Sequence, residues 1–375
     1  MDVNLSDDQR MLQDMTRRFL EDRSPVSALR KLVDAGRNLD REVWSEGAEL
    51  GWVALFVPGA YGGIAEDSQG VADAAVIAEE LGRVVFGGPF LSSCVAAFAI
   101  AQSGSEAQKS AWLPGLATGE TLAAWCFAAR GPLGGARPGG VRAKRSGDGW
   151  TLEGTAALVE DGEVADLLLV TAVTGEGLAQ FVLPAGSPGV SVRPLEAMDL
   201  GRRIAEIDFS GVSLGDDALL GAPQAAEEAF ERQLQAALAL QCAETVGVTD
   251  RAFEFTLEWC KDRYAFGRPI GSFQALKHRL ARHGANLEAA KAAAAHAARA
   301  VQAQAPAAAI AVSVAKSHCG RQATEIIRDC LQLHGGIGLT WEHDIHFYLR
   351  RAVSNEALWG APSAHHDRLC RLAGI

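Results

Sequence analysis

The 375-residue sequence lacks the cysteine patterns that form metal sites or disulfide frameworks. Its seven cysteines are scattered, and no Cys-x-x-Cys pair occurs among them. We therefore expect no structural zinc and no other bound metal. Reduced thiols suit a reducing compartment, so the expected location is cytoplasmic.

The sequence also lacks an excess of positive charge and a long apolar run. Its 46 acidic residues outnumber 35 Lys and Arg, which leaves a net charge of −11. That balance argues against binding to nucleic acid or to an anionic membrane. No 18-residue apolar stretch is free of polar breaks, so a transmembrane helix is not expected. The acidic start, MDVNLSDDQR, does not resemble a targeting peptide.

What the sequence does contain is three segments of different character. Residues 1–120 show helical periodicity, beginning with a capping box of Ser6 and Gln9, and predict an N-terminal helical domain. Residues 121–223 contain short apolar or alternating runs bounded by Gly, Pro or Asp. They predict a middle antiparallel β domain, with a long glycine-rich loop at 131–149.

Residues 224–375 return to helical periodicity in three long, alanine-rich stretches. They predict a C-terminal four-helix bundle. The expected fold class is therefore α+β and multidomain, with helical, β and helical domains in that order.

Two glycine-bearing joints interrupt the C-terminal helices. In the first, KDRYAFGRPIGSFQ, a helix ends near Arg263 and a new one begins before Gln274. Arg263 offers a fixed fork of donors suited to a pyrophosphate, and Gln274 can bond an amide or a ring edge. Between them, Phe266 and Gly267 form a turn in which glycine allows a close backbone approach.

The second joint is QLHGGIGL, in which Gln332 ends a helix. Gly335 and Gly336 leave backbone N–H groups open to a ligand. Neither joint follows a strand, so neither is a Rossmann or Walker loop. Each alone can be an ordinary helix C-cap, whereas together they suggest two arms of a dinucleotide site.

The domain order and the motifs RYAFGRPIGSFQALKHRLA and QLHGGIG resemble the acyl-CoA dehydrogenase family over essentially the whole chain. The resemblance implies that both joints cross a subunit interface to clasp the FAD of a neighbouring subunit. The implied cofactor-binding residues are Arg263, Phe266, Gly267, Gln274, Gln332, Gly335 and Gly336.

The resemblance also implies a reaction. Family members oxidise an acyl-CoA thioester to the 2,3-enoyl-CoA: a glutamate takes the α-proton, and flavin N5 takes the β-hydrogen as hydride. Counted from the joints, the two usual positions of that glutamate fall on Trp359 and Ala237, neither of which accepts a proton. Glu244, two helical turns after Ala237, is a possible substitute base or an ion-pair partner of a group such as Arg251.

The β segment departs from the family at the positions that contact the chain's own flavin. Ala128, Arg130 and Leu158 replace a hydroxyl residue, a proline turn and a stacking tryptophan. Glu160 replaces a Ser or Thr donor, and its carboxylate would repel a reduced, anionic flavin. The differences fall on the chain's own site, whereas the joints that serve a neighbour are retained.

This pattern resembles the non-catalytic subunit of heteromeric α2β2 acyl-CoA dehydrogenases of actinobacterial steroid side-chain degradation. The implied partners are a homologous catalytic subunit, an acyl-CoA substrate and an electron-transfer flavoprotein as acceptor. One alternative is a homo-oligomeric dehydrogenase that uses Glu244 as its base. Another is a non-enzymatic scaffold or acyl-CoA binder without FAD, although such a protein would have no use for the two joints.

Overall fold

The computed structural model describes residues 4–37, 39–65, 70–131 and 137–375. The first part of the chain is helical, and the predicted capping box of Ser6 and Gln9 opens its first helix. Its helices are α1 (Asp7–Arg23), α2 (Val26–Asp34), α3 (Arg41–Glu49), α4 (Val71–Arg83), α5 (Phe90–Ser103) and α6 (Glu106–Ala117).

A seven-stranded sheet follows. Its strands are β1 (Ala123–Cys126), β2 (Val141–Ser146), β3 (Gly149–Glu160), β4 (Leu167–Thr174), β5 (Gly177–Pro184), β6 (Val190–Leu195) and β7 (Ile204–Gly215). The order is β1-β4-β2-β3-β7-β6, and β5 pairs with β4.

The sheet is mixed, because β4 lies parallel to both β1 and β2 while the other strand pairs are antiparallel. The prediction of a purely antiparallel sheet was therefore wrong for those two pairs. The prediction of one long loop at 131–149 was also wrong, because β2 lies within it. Residues 132–136 of that range lie outside the described residues.

The last part of the chain is helical again, so the predicted order of helical, β and helical parts is confirmed. Its helices are α7 (Ala226–Asp262), α8 (Gln274–Gln302), α9 (Ala308–His334), α10 (Ile345–Ala357) and α11 (Pro362–Ala373), with a minimal hairpin of β8 (Tyr264–Ala265) and β9 (Arg268–Pro269) between α7 and α8. Within the described ranges, no helix is both long enough and apolar enough to cross a bilayer.

Helices α4 and α7 approach each other until their backbones touch, and glycine makes this possible. A Cβ atom on Gly247 would lie 1.8 Å from the carbonyl oxygen of Glu79, and one on Gly82 would lie 2.1 Å from that of Glu244. These distances are far inside van der Waals contact, so neither position accepts a side chain without separating the helices. The contact fixes α7 against the N-terminal helices beside Glu244.

We expect the substitution Gly247→Ala to lower the free energy of unfolding by about 3 kcal/mol, because the added methyl group must push two backbones apart. Urea unfolding followed by circular dichroism measures the change. The matched control is Gly284→Ala in α8, where the nearest atom to the new Cβ is 3.9 Å away. It should be neutral or stabilising by up to about 1 kcal/mol. Equal stabilities for the two variants would contradict the close contact.

Candidate functional site

The first joint is an exposed turn at the end of α7. Arg263 caps the helix with an extended backbone, and its guanidinium lies 5.6 Å from the ring centre of Trp259. Phe266 has a positive φ of 53° and is 96% exposed. A Cβ on Gly267 would meet no atom within 4 Å, and Gln274 begins α8 with its side chain exposed. The turn therefore presents backbone and side chains to an outside group.

The second joint has the same open character. Gln332 is exposed in the last turn of α9, which ends at His334. Gly335 has a positive φ of 67°, which favours glycine, and neither it nor Gly336 has an atom within 4 Å of a built Cβ. The short 3-10 helix that follows ends at Leu339, whose side chain is 77% exposed.

Trp259 brings the two joints together. Its ring lies beneath Arg263 of the first joint, and its indole Nε1 donates a 3.1 Å hydrogen bond to the carbonyl of Leu333 in the second. It also contacts the ring of His334, at 5.2 Å between ring centres. Two segments separated by about 70 residues are thus held on one end of the helical bundle.

The two usual positions of the catalytic glutamate lie in an apolar core. Ala237 is fully buried, and Trp359 is 5% exposed with a positive φ of 60°. The Trp359 ring lies 6.0 Å from that of Trp125, which in turn contacts Phe127 at 4.3 Å and Phe230 at 5.4 Å. Aromatic side chains therefore fill the space around the Trp359 ring, and the buried imidazole of His365 lies 3.2 Å from the Trp359 carbonyl oxygen.

Glu244 is buried in an ion network. It accepts hydrogen bonds from Arg351 at 2.6 Å and from Asn355 at 2.9 Å, and it pairs with Arg202. The possible pairing with Arg251 was wrong, because Arg251 binds Glu254 instead. Both carboxylate oxygens of Glu244 are therefore engaged by donors, one by Arg351 and the other by Arg202 and Asn355.

Glu160 joins the same network through Arg202. Burial raises the pKa of its carboxyl group to about 7, and the charges of Asp161 and Glu244 act in the same direction. Arg202 opposes this rise but is shared with Glu244, and the second oxygen of Glu160 has no hydrogen-bond partner within the described chain. Burial therefore outweighs the attraction of the single shared arginine.

The space beside this network is small. The cavity lined by Glu160, Arg202, Glu244 and the segment 86–91 has a volume of about 20 Å³. A volume of this size holds about one water molecule. This cavity is too small for an isoalloxazine ring.

The other positions that depart from the flavin-binding pattern lie at or near the sheet surface. Ala128 is buried and forms a single bridge with Pro138, whereas Leu158 is 36% exposed with a positive φ of 52°. Arg130 forms two 2.8 Å hydrogen bonds with Glu206. None of the three presents a hydroxyl or stacking ring to a flavin.

Sequence reasoning missed Arg202, Arg351 and Asn355, which complete the buried network. The available signal was the Arg pair at 202–203, in GRRIAEI, and the Arg pair at 350–351, in YLRRAV, each next to apolar residues. Arginine is almost never fully buried without a partner, so these pairs indicated hidden carboxylates. Asp199, the second partner of Arg351, was missed for the same reason.

Comparison with known proteins places this geometry in a family. The model of the acyl-CoA dehydrogenase N-terminal domain matches residues 6–120, and that of the C-terminal domain matches residues 228–370. The acyl-CoA dehydrogenase IpdE2 of Mycobacterium tuberculosis is 30% identical over 359 residues, covering 95% of this chain and 94% of that protein. The chain belongs to the acyl-CoA dehydrogenase family.

Solved structures from this family have the same fold. A variant of the Tcur3481-Tcur3483 steroid acyl-CoA dehydrogenase superposes with a TM-score of 0.89 at 30% identity, with 98% of each chain covered. The ChsE4-ChsE5 complex from Mycobacterium tuberculosis gives 0.88 at 28% identity, covering 100% of this chain and 99% of that one.

FAD is the cofactor of this acyl-CoA dehydrogenase fold. The two places where this chain could meet FAD differ in how well they fit it. The joints, with an arginine fork and open glycine backbone, suit a pyrophosphate. The region around Glu160, with its filled interior and buried carboxylates, does not suit a flavin ring.

We expect Glu244→Ala to lower the free energy of unfolding by about 3–5 kcal/mol, because Arg202 and Arg351 would lose their shared counter-charge inside the protein. Chemical denaturation measures this loss. The control is Glu258→Ala on the same helix, whose pair with Lys261 is largely exposed; its cost should stay within about 1 kcal/mol. If Glu244→Ala kept full stability but abolished dehydrogenation by the lone chain, Glu244 would be the base after all.

Proposed function

We propose that this chain is the non-catalytic subunit of a heteromeric acyl-CoA dehydrogenase. In this role it completes the FAD site of a homologous catalytic subunit and supplies no base of its own. The observation that carries the proposal is the contrast between the two regions: the joints are open and exposed, whereas the interior at Trp359, Ala237 and Glu160 is filled and buried.

The joints support a role toward a neighbouring subunit. Arg263 and Gln332 are exposed on the end of the bundle where Trp259 holds the two segments together. In the proposed complex, Arg263 donates to the pyrophosphate of the partner's FAD, and the N–H groups at Gly335 and Gly336 bind at its edge. The bound flavin supplies the hydride acceptor for α,β-dehydrogenation of the acyl-CoA. This chain's part is to bind and orient that cofactor.

The buried network supports the absence of a second active site. Glu244, the possible substitute base, is engaged by two arginines and an asparagine. A base for α-proton removal needs a free lone pair directed at substrate. The aromatic cluster around Trp359 occupies the space near the other usual position of the base.

The substrate class follows from the relatives and carries over as part of the proposal. Of the similar solved structures, Tcur3481-Tcur3483 is a steroid acyl-CoA dehydrogenase, and ChsE4-ChsE5 is a complex of two different chains. We infer a bulky acyl-CoA, such as a steroid side-chain thioester, with electrons passing to an electron-transfer flavoprotein. A complex with one acyl site for each pair of chains leaves more room for such a substrate.

The proposal predicts that the chain expressed alone is colourless, and that co-expression gives a yellow complex with one FAD for every two chains. The partner to test is an acyl-CoA dehydrogenase homologue encoded by an adjacent gene and carrying the catalytic glutamate. Flavin absorbance and mass in solution provide both readouts. One FAD per chain in the lone protein, together with oxidation of an acyl-CoA, would overturn the proposal.

The variant Arg263→Ala tests directly whether Arg263 binds the pyrophosphate of FAD. In the co-expressed complex we expect the Kd for FAD to rise about 10- to 100-fold, as for loss of a hydrogen bond between charged groups. Assembly should be unchanged. FAD titration by fluorescence quenching measures the affinity. Lys261→Ala, an exposed charge at the end of the same helix, is the control. Equal FAD affinity in the two variants would show that Arg263 does not bind FAD.

A further inference from the structure

A second charged surface lies beside the joints, in the groove between α8 and α9. Its floor and walls enclose about 590 Å³ that opens to solvent. Three exposed arginines line it: Arg282 on α8, and Arg321 and Arg328 on α9. We call these three residues the arginine face.

The arginine face groups three unmatched charges in one groove of an acidic protein. Many arginines of the chain pair with carboxylates, as Arg83 does with Asp250, and the exposed ones that do not, such as Arg18, lie apart from this groove. Even in the same groove, Arg279 is paired with a carboxylate. In contrast, none of the three members of the arginine face forms an ion pair or hydrogen bond with another residue in the described ranges.

The arginine face runs directly into the second joint. Arg321, Glu325, Arg328 and Gln332 follow one another on α9 at intervals of four, three and four residues. That spacing places them on one stripe of the helix, about 16 Å long at a rise of 1.5 Å per residue. Gln332 lies only one turn, or about 6 Å, beyond Arg328. A subunit that reaches Gln332 would therefore come within one helical turn of Arg328.

We propose that the arginine face docks an acidic surface of the catalytic homologue and selects that partner over a second copy of this chain. This inference rests on the proposed function. The groove holds three unpaired positive charges and two carboxylates without an ion-pair partner in the described ranges, Glu325 and Glu356, which leaves an excess of one positive charge. A partner with carboxylates at this position gains complementary charge, whereas like charge disfavours a wrong partner. The three arginines would thus specify which subunit meets the joints.

The test reverses the three charges in the co-expressed complex. We expect the triple variant Arg282→Glu, Arg321→Glu and Arg328→Glu to weaken association with the catalytic homologue by about 100-fold or more at low salt. The wild-type complex should lose affinity as sodium chloride rises, and the variant should lose most of that salt dependence. Analytical ultracentrifugation over a salt series measures both.

The matched control carries the same change in charge elsewhere: Arg18→Glu, Arg37→Glu and Arg142→Glu, all at exposed positions. It should associate as the wild type does. Circular dichroism and thermal unfolding establish that both triple variants fold, since all six positions are on the surface. Equal weakening in both triple variants, or none in either, would overturn the proposal.

Further outcomes distinguish failure of the docking proposal from failure of the proposed function. If inorganic phosphate raises the Tm of the lone wild-type chain while charge reversal leaves the complex intact, the face binds small anions and the docking proposal is wrong. If wild-type chains form no complex at all, the proposed function itself fails, and the docking proposal fails with it. A complex that forms normally from wild-type chains and from the charge-reversed chain overturns only the docking proposal.

Discussion

The structure depends on keeping several charges inside a protein interior. Glu160, Glu244, Arg202 and Arg351 are all buried, and each is held by at least one of the others. An isolated charge in such a place costs several kcal/mol, so the network is stable only while every member is present. Glu160 ends strand β3 of the sheet, and Arg202 lies in the turn before β7. Glu244 and Arg351 lie in the C-terminal bundle, on α7 and α10. Arg351 also donates a hydrogen bond to the carbonyl of Phe86 in the N-terminal part, so the three parts of the fold meet at one electrostatic centre.

That centre also explains how one chain can have two contrasting regions. Helix α7 carries Glu244 in the interior and Trp259 at its far end, so a single rigid element connects the filled site to the open joints. The close approach of α4 to α7 at Gly82 and Gly247 prevents the helix from shifting. The joint residues are held in place in this way, as the proposed role toward a neighbouring subunit requires.

Local chemistry determines which features the sequence could predict. Helical periodicity, the capping box at Ser6 and the glycines of the joints act over a few residues, so the order of domains and the family could be inferred from the residues alone. The parallel pairing of β4 with β1 and β2 could not be predicted from the sequence, because strand direction depends on residues that are distant along the chain. The network was missed for the same reason: Glu244 is 107 residues from Arg351 and 42 from Arg202. The roles of Arg263 and Gln332 toward FAD stay predictions.

The exposed apolar groups of the joints have a consequence for how such a subunit is made. Phe266 and Leu339 leave ring and aliphatic surface in water beside the open glycines. Exposed apolar surface of this kind favours self-association and capture by quality-control machinery. In the proposed complex the partner would cover these groups, so a cell that synthesises this chain in excess over the proposed partner would accumulate unprotected copies. Under the proposed function, balanced synthesis of the two chains, as from a shared transcript, would remove that hazard because each new copy would be covered as it folds.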